Sequence, residues 1–267
     1  MDKFFICLAN SYKRGGRCVA GVEIDYRSKH DWTIVTTIDN TPQWIRPLAQ
    51  TEYGEIPTAE AIPIKQYSIV KLSDIEQCPH NMHTEDMHYS KMQVIGQLEP
   101  TAEVLDRFID YMHRSPFGNH GKALKADKET GTNYSLMLIR PEKAVVDSDI
   151  VWDKTKTKIT FDHNGFTYSL PVTDPLFLAW FKSHGEKRTE LSNVYLVLSL
   201  GLEYEGWHHK LVATVLKSPG ETFGPAPKPY FTDDLSENEN NRVSEEISEY
   251  KPLSVWEKIT RLFKKGN

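Results

Sequence analysis

Cysteine is scarce in this chain of 267 residues, with only Cys7, Cys18 and Cys78. Three thiols cannot build a disulfide framework, and a chain of this length buries a core without such staples. A reduced, cytoplasmic protein is expected. Long hydrophobic runs are missing as well. Nothing approaches the roughly 18 consecutive apolar residues of a membrane-spanning helix, and the opening MDKFFICLANSYKRGG carries no secretory cleavage pattern. An excess of positive charge is also lacking. The 32 Lys and Arg face 37 Asp and Glu, a formal charge of −5. That balance excludes a strongly basic nucleic-acid coat protein but leaves room for a local basic groove. Familiar catalytic signatures are absent: no G-x-x-x-x-G-K-[ST], no G-x-S-x-G, no H-E-x-x-H, and no Gly-rich strand-to-helix turn to hold a dinucleotide. These gaps favour binding over catalysis, with no cofactor.

What is present falls into distinct textures. Residues 1–100 alternate short apolar runs with turn residues, and strands are expected at Phe4–Ala9, Cys18–Ile24, Trp32–Ile38, Tyr67–Leu72 and Lys91–Leu98. TAEVLDRFIDYMHR, residues 101–114, places Val104, Leu105, Phe108, Ile109 and Met112 at helical spacing, with Thr101 as a cap and Pro116 as a stop. Strands then return. ITFDHNGFTYSLPV alternates about Asn164-Gly165, which suits the two positive φ values of a type I′ hairpin. A short helix is expected at Asp174–Lys182, then strands at Val194–Leu200 and Lys210–Leu216. The fold class is therefore mainly β with minor α: two small OB-like barrels joined by a helix, spanning 1–115 and 116–218. An SH3-like barrel would give a similar string. Beyond Ser218 comes a Pro-rich and acidic linker, 219–252, whose residues 232–250 hold seven acidic residues and one basic one. Residues 253–267 read as an amphipathic helix. Its apolar face, with Trp256, Ile259 and Phe263, suits docking on a protein partner or back onto the core.

Several constellations have chemistry to offer. Lys13-Arg14-Gly15-Gly16-Arg17 joins cations to two glycines that let a phosphate approach the backbone. Arg46 could clamp phosphate or a base beside Trp44, although a tryptophan in a short β unit usually fills core. Cys78, His80, His83 and His88 hold metal-capable groups, but their spacing matches no standard zinc site, so no metal is expected. His80, His83 and Glu85 could instead touch a ligand directly. Thr173-Asp174-Pro175 reads as a helix cap. Lys210, beside His208-His209, is a candidate phosphate contact.

Five phrases in order resemble the dual OB-fold domain family of bacteria and archaea: CLANSYKRGGRCVAG (Cys7–Gly21), WIRPL (Trp44–Leu48), CPHNMHTEDM (Cys78–Met87), FTYSLPVTDP (Phe166–Pro175), and YLVLSLG with HHKLVATVL (Tyr195–Leu216). The resemblance spans about residues 4–217. It implies two OB-like barrels and a nucleic-acid role, often in defence or conflict systems, and brings no established reaction with it. The leading expectation is a module for single strands or nucleic-acid ends. An adaptor docking by its C-terminal helix, a sensor of a nucleotide or modified base, and last a metal-dependent hydrolase are the alternatives.

Overall fold

A computed structural model describes residues 2–80, 82–126, 133–151 and 154–218. The expected C-terminal linker and helix, with Trp256, Ile259 and Phe263, lie outside the described residues. Within them the chain is mainly β with minor α, and its curled sheets are those of OB-like barrels.

Two long hairpins organise the structure. The first pairs β1 (Lys3–Lys13) with β2 (Gly16–Ser28), and a register shift between Cys7 and Ala9 bends it. A bulge of this kind increases local twist, which helps a sheet curl. Around it lie β3 (Asp31–Ile34), β4 (Trp44–Leu48), β5 (Ser68–Ser73), β6 (Glu76–Gln77), β7 (Asp86–His88) and β8 (Lys91–Gln97). They form one eight-stranded sheet in the order β6-β7-β4-β2-β1-β5-β8, with β3 on β2. Only β4 and β7 in that sheet run parallel.

The second half uses two four-stranded sheets. One joins β9 (Ala123–Lys125), β10 (Leu136–Ile139), β15 (Val194–Tyr204) and β16 (Trp207–Lys217); the other joins β11 (Lys143–Val151), β12 (Lys154–His163), β13 (Phe166–Pro171) and β14 (Thr189–Leu191). The Asn164-Gly165 hairpin forms as expected, with φ of 51° and 78° at its two central residues. Ile159, Phe161, Tyr168 and Leu170 point into the core on its inner face. Asp174 caps the helix Pro175–Ser183: its Oδ1 accepts from the amides of Leu176 and Phe177 at 2.9 and 3.1 Å. A one-turn helix at Thr58–Ala61 covers the first sheet.

The helix expected over 101–114 is much shorter. Thr101 caps it, its Oγ1 accepting from Val104 N, but it covers only Ala102–Asp106. Phe108 and Ile109 still reach the core. Asp110 ends the helical path because its amide donates to Leu138 O, while its carboxylate accepts from the amides of Met112 and His113. A side chain that bonds the backbone two and three residues ahead offers the chain a turn instead of a helix.

One of three core clusters draws on both sides of the expected division. Ile6, Leu8, Ala20 and Val22 of the first hairpin pack in one cluster with Leu136, Leu138, Tyr195, Val197, Ala213 and Leu216. A backbone bond from Tyr12 N to Thr173 O, 2.8 Å long, also ties the halves.

Candidate nucleic-acid interface and the buried polar seam

The tip of the first hairpin is a two-residue turn, Arg14-Gly15, in which Gly15 takes φ of +80°. A branched side chain is strained in that region, so glycine has a local cause here. Gly16 has a different one. A Cβ there would sit 2.5 Å from Ile56 O. Arg17 and Ile56 exchange backbone hydrogen bonds of 2.9 Å at the same place. The close approach that the second glycine permits is thus taken by the chain itself.

The cations of the turn separate by depth. Arg14 is exposed and lies over the Tyr53 ring, 4.5 Å from its centroid. Lys13 is half-buried, and desolvation lowers its pKa. Arg17 is buried, with its guanidinium 4.4 Å from the Tyr12 centroid.

Arg46 lies deeper still. The parallel pairing of β4 with β7 sets it beside Glu85 and Asp86. Its Nη2 lies 3.2 Å from Glu85 Oε1 and its Nη1 3.3 Å from Asp86 Oδ1, all three side chains being nearly solvent-free. Nη2 also donates to Ser135 Oγ. Ser135 in turn donates its hydroxyl and its amide to Glu85 Oε1, at 2.7 and 3.0 Å. Burial alone would lower the Arg46 pKa, but the Asp86 and Glu85 carboxylates outweigh it and raise it. Burial pushes both carboxyls up, with Arg46 opposing. Trp44, next to Arg46, is core.

His83 is buried beside this network. Its ring meets His208 edge-on at 5.2 Å. Burial, with Arg46, His208 and Lys13 nearby, holds its pKa well below the usual histidine value, so the imidazole is neutral. His208 Nδ1 lies 2.8 Å from Gly201 O. The Nε2 atoms of both rings, Arg46 Nε and Glu85 Oε2 have no hydrogen-bond partner. His80 is exposed, and its backbone pairs with that of His83 across a tight turn. Among the described residues, no three His, Cys, Asp or Glu gather as metal ligands.

Lys210 is also inside, and fully so. Its Nζ donates to Pro116 O and Asn119 O at 2.7 Å and to Asn119 Oδ1 at 2.8 Å. Burial pushes its pKa down to about 7. Asp174 does more than cap, because its Oδ2 also accepts from Val215 N at 3.0 Å. Burial raises its pKa to about 6.

The residues singled out for ligand contact therefore divide. Arg14, Lys13 and His80 keep access to solvent. Arg17, Arg46, Trp44, His83, Glu85 and Lys210 are buried in this structure. Arg46 of WIRPL, His83, Glu85 and Asp86 of CPHNMHTEDM, and His208 gather in a buried polar seam where the two halves of the chain meet. Ser135, which completes it, stands in no motif, and no sequence signal marked it.

The model of the dual OB-containing domain matches residues 3–215. The chain belongs to that family. The match covers both hairpins, the seam and the basic turn, and stops just short of the last described residue. No curated protein matches the chain. One similar solved structure is a murine DNA binding protein bound with double-stranded DNA, 10% identical, with a TM-score of 0.30 over 82% of this chain and all of that one. A likeness that slight carries no argument. No helix among the described residues is long and apolar enough to cross a membrane.

Proposed function

We propose that this dual OB member is a non-catalytic nucleic-acid-binding module that favours single strands or ends. The supporting observation is the Arg14–Tyr53 pair at the tip of the first hairpin, with half-buried Lys13 behind it. In OB-like barrels the loop between the first two strands borders the binding face, and a cation beside an aromatic ring serves both phosphate and base. The free thiols of Cys7, Cys18 and Cys78 favour a reducing, cytoplasmic setting, and the family resemblance favours a defence system.

Gel shifts with single-stranded and duplex oligonucleotides over a salt series test this reading. Affinity falls steeply with salt if phosphates are neutralised. Arg14→Ala is expected to lower affinity for all sequences and to reduce the salt slope by about one phosphate contact. No binding at low salt, or a slope untouched by the substitution, would overturn it.

A nucleotide-capturing role has one observation in its favour. An open cleft of about 430 Å³ is lined by Lys125, Ala126, Glu203, Gly206 and Trp207. Lys125 Nζ lies 5.9 Å from the Trp207 ring centroid. Mononucleotide binding that Trp207→Leu abolishes would support that role over strand binding.

A further inference from the structure

At the end of the Asn164-Gly165 hairpin, Phe166 is 47% exposed although it lies on the face that carries Phe161 and Tyr168 into the core. Its ring is stacked on exposed His120, with centroids 3.6 Å apart and planes 16° apart. The pair is held in place. His120 Nδ1 and Tyr168 OH share a 2.9 Å hydrogen bond. The segment leading into His120 is fastened from inside by Lys210, whose ammonium bonds Pro116 O and both oxygens of Asn119. Asn164 Nδ2 bonds Arg114 O at 2.9 Å, which brings the backbone of an exposed arginine to the hairpin turn. Glu142 Oε1 accepts from Asn164 N nearby, so the surface is mixed in charge and is not a simple phosphate track.

A pair of stacked rings on the surface, one of them polar at its edge, is a poor core element and a good start to a longer stack. We infer that His120 and Phe166 form a base-stacking platform for an unpaired nucleobase. The inference rests on the nucleic-acid reading and extends it to the second half of the chain. Every base has a π-face, so the platform is tolerant of sequence but requires a base free of its partner strand. Lys210 is a positioning residue here: it fixes the segment that carries His120 and touches no ligand.

The test uses the full-length protein and a single-stranded oligonucleotide carrying one 2-aminopurine, whose fluorescence is quenched by stacking. Wild type is expected to quench it. His120→Ala and Phe166→Ala are expected to weaken binding about tenfold each and to relieve quenching, with the salt slope unchanged. Arg14→Ala is the counterpart, lowering the salt slope while leaving the quenching of bound strand intact. Should Phe166→Ala disturb the hairpin, His120→Ala decides, because His120 is an exposed side chain. Wild-type affinity and quenching in a folded His120→Ala variant would overturn the platform while leaving the nucleic-acid reading standing. Duplex bound as tightly as single strand would also overturn it. Failure of wild type to bind any oligonucleotide at low salt would remove both.

Discussion

The two halves of the molecule each bury a cation, and they do so by opposite means. Arg46 sits between Glu85 and Asp86, two carboxyls as buried as itself. Lys210 sits among neutral oxygens from Pro116 and Asn119, with no acidic partner within ion-pair distance among the described residues. An arginine in a protein interior stays charged, so it must be matched by charge. A lysine can give up its proton, so dipoles suffice for it, and burial brings its pKa down to about 7. The first half therefore matches its cation with carboxyls that burial pushes up and Arg46 holds down, whereas the second half's lysine titrates near neutrality.

Breaking the charged arrangement has the largest expected effect. Arg46→Met leaves two buried carboxyls without their cation, and unfolding by urea should show a loss of about 3–5 kcal/mol. Triple replacement of Arg46, Glu85 and Asp86 by apolar residues should recover much of it, since a buried ion pair often adds little over good packing. An unrecovered loss would show that the seam stabilises through its geometry more than its charge.

Asp174→Ala comes next. It orphans the amides of Leu176, Phe177 and Val215, for an expected loss of about 2–4 kcal/mol. The wild-type carboxyl also has a pH signature. Its folded pKa of about 6 lies above the reference value of 3.8. The folded state thus holds the proton more tightly, and this contribution to stability is lost as pH rises from about 4 to 6. Denaturation midpoints of wild type and Asp174→Asn should converge toward acid and separate toward neutral pH.

Lys210 titrates in the opposite sense. Its folded value of about 7 lies below the reference 10.5, so the unfolded chain binds the extra proton between those limits. Stability relative to Lys210→Met is expected to rise with pH across that window. A flat difference would mean that the three oxygen acceptors keep the ammonium charged throughout. The smallest effect is expected at the exposed turn, where Arg14→Ala should change stability by less than about 0.5 kcal/mol.

Much of the fold was legible from local pattern. The Asn164-Gly165 hairpin, the Asp174 cap and the long strands each follow from residues within a few positions of one another. The helix at 101–114 was overextended because periodicity records only that Phe108 and Ile109 are buried. It does not record that Asp110 turns the chain to pair with Leu138. The site was legible in composition but not in depth. Arg46 and Lys210 show the same charge in sequence as Arg14. What separates them is a set of acceptors 39, 40 and about 90 residues away, and distance of that kind leaves no local trace. Ser135, flanked by ordinary residues, was invisible for the same reason.

The cluster that packs Ile6, Leu8 and Val22 against Leu138, Val197 and Ala213 has a practical consequence. Each half also has a cluster largely its own, but this one needs residues from both. A chain cut between the halves should yield fragments that are poorly soluble alone and that reassemble when produced together, so the protein could serve as a split reporter whose reconstitution needs both pieces in one compartment.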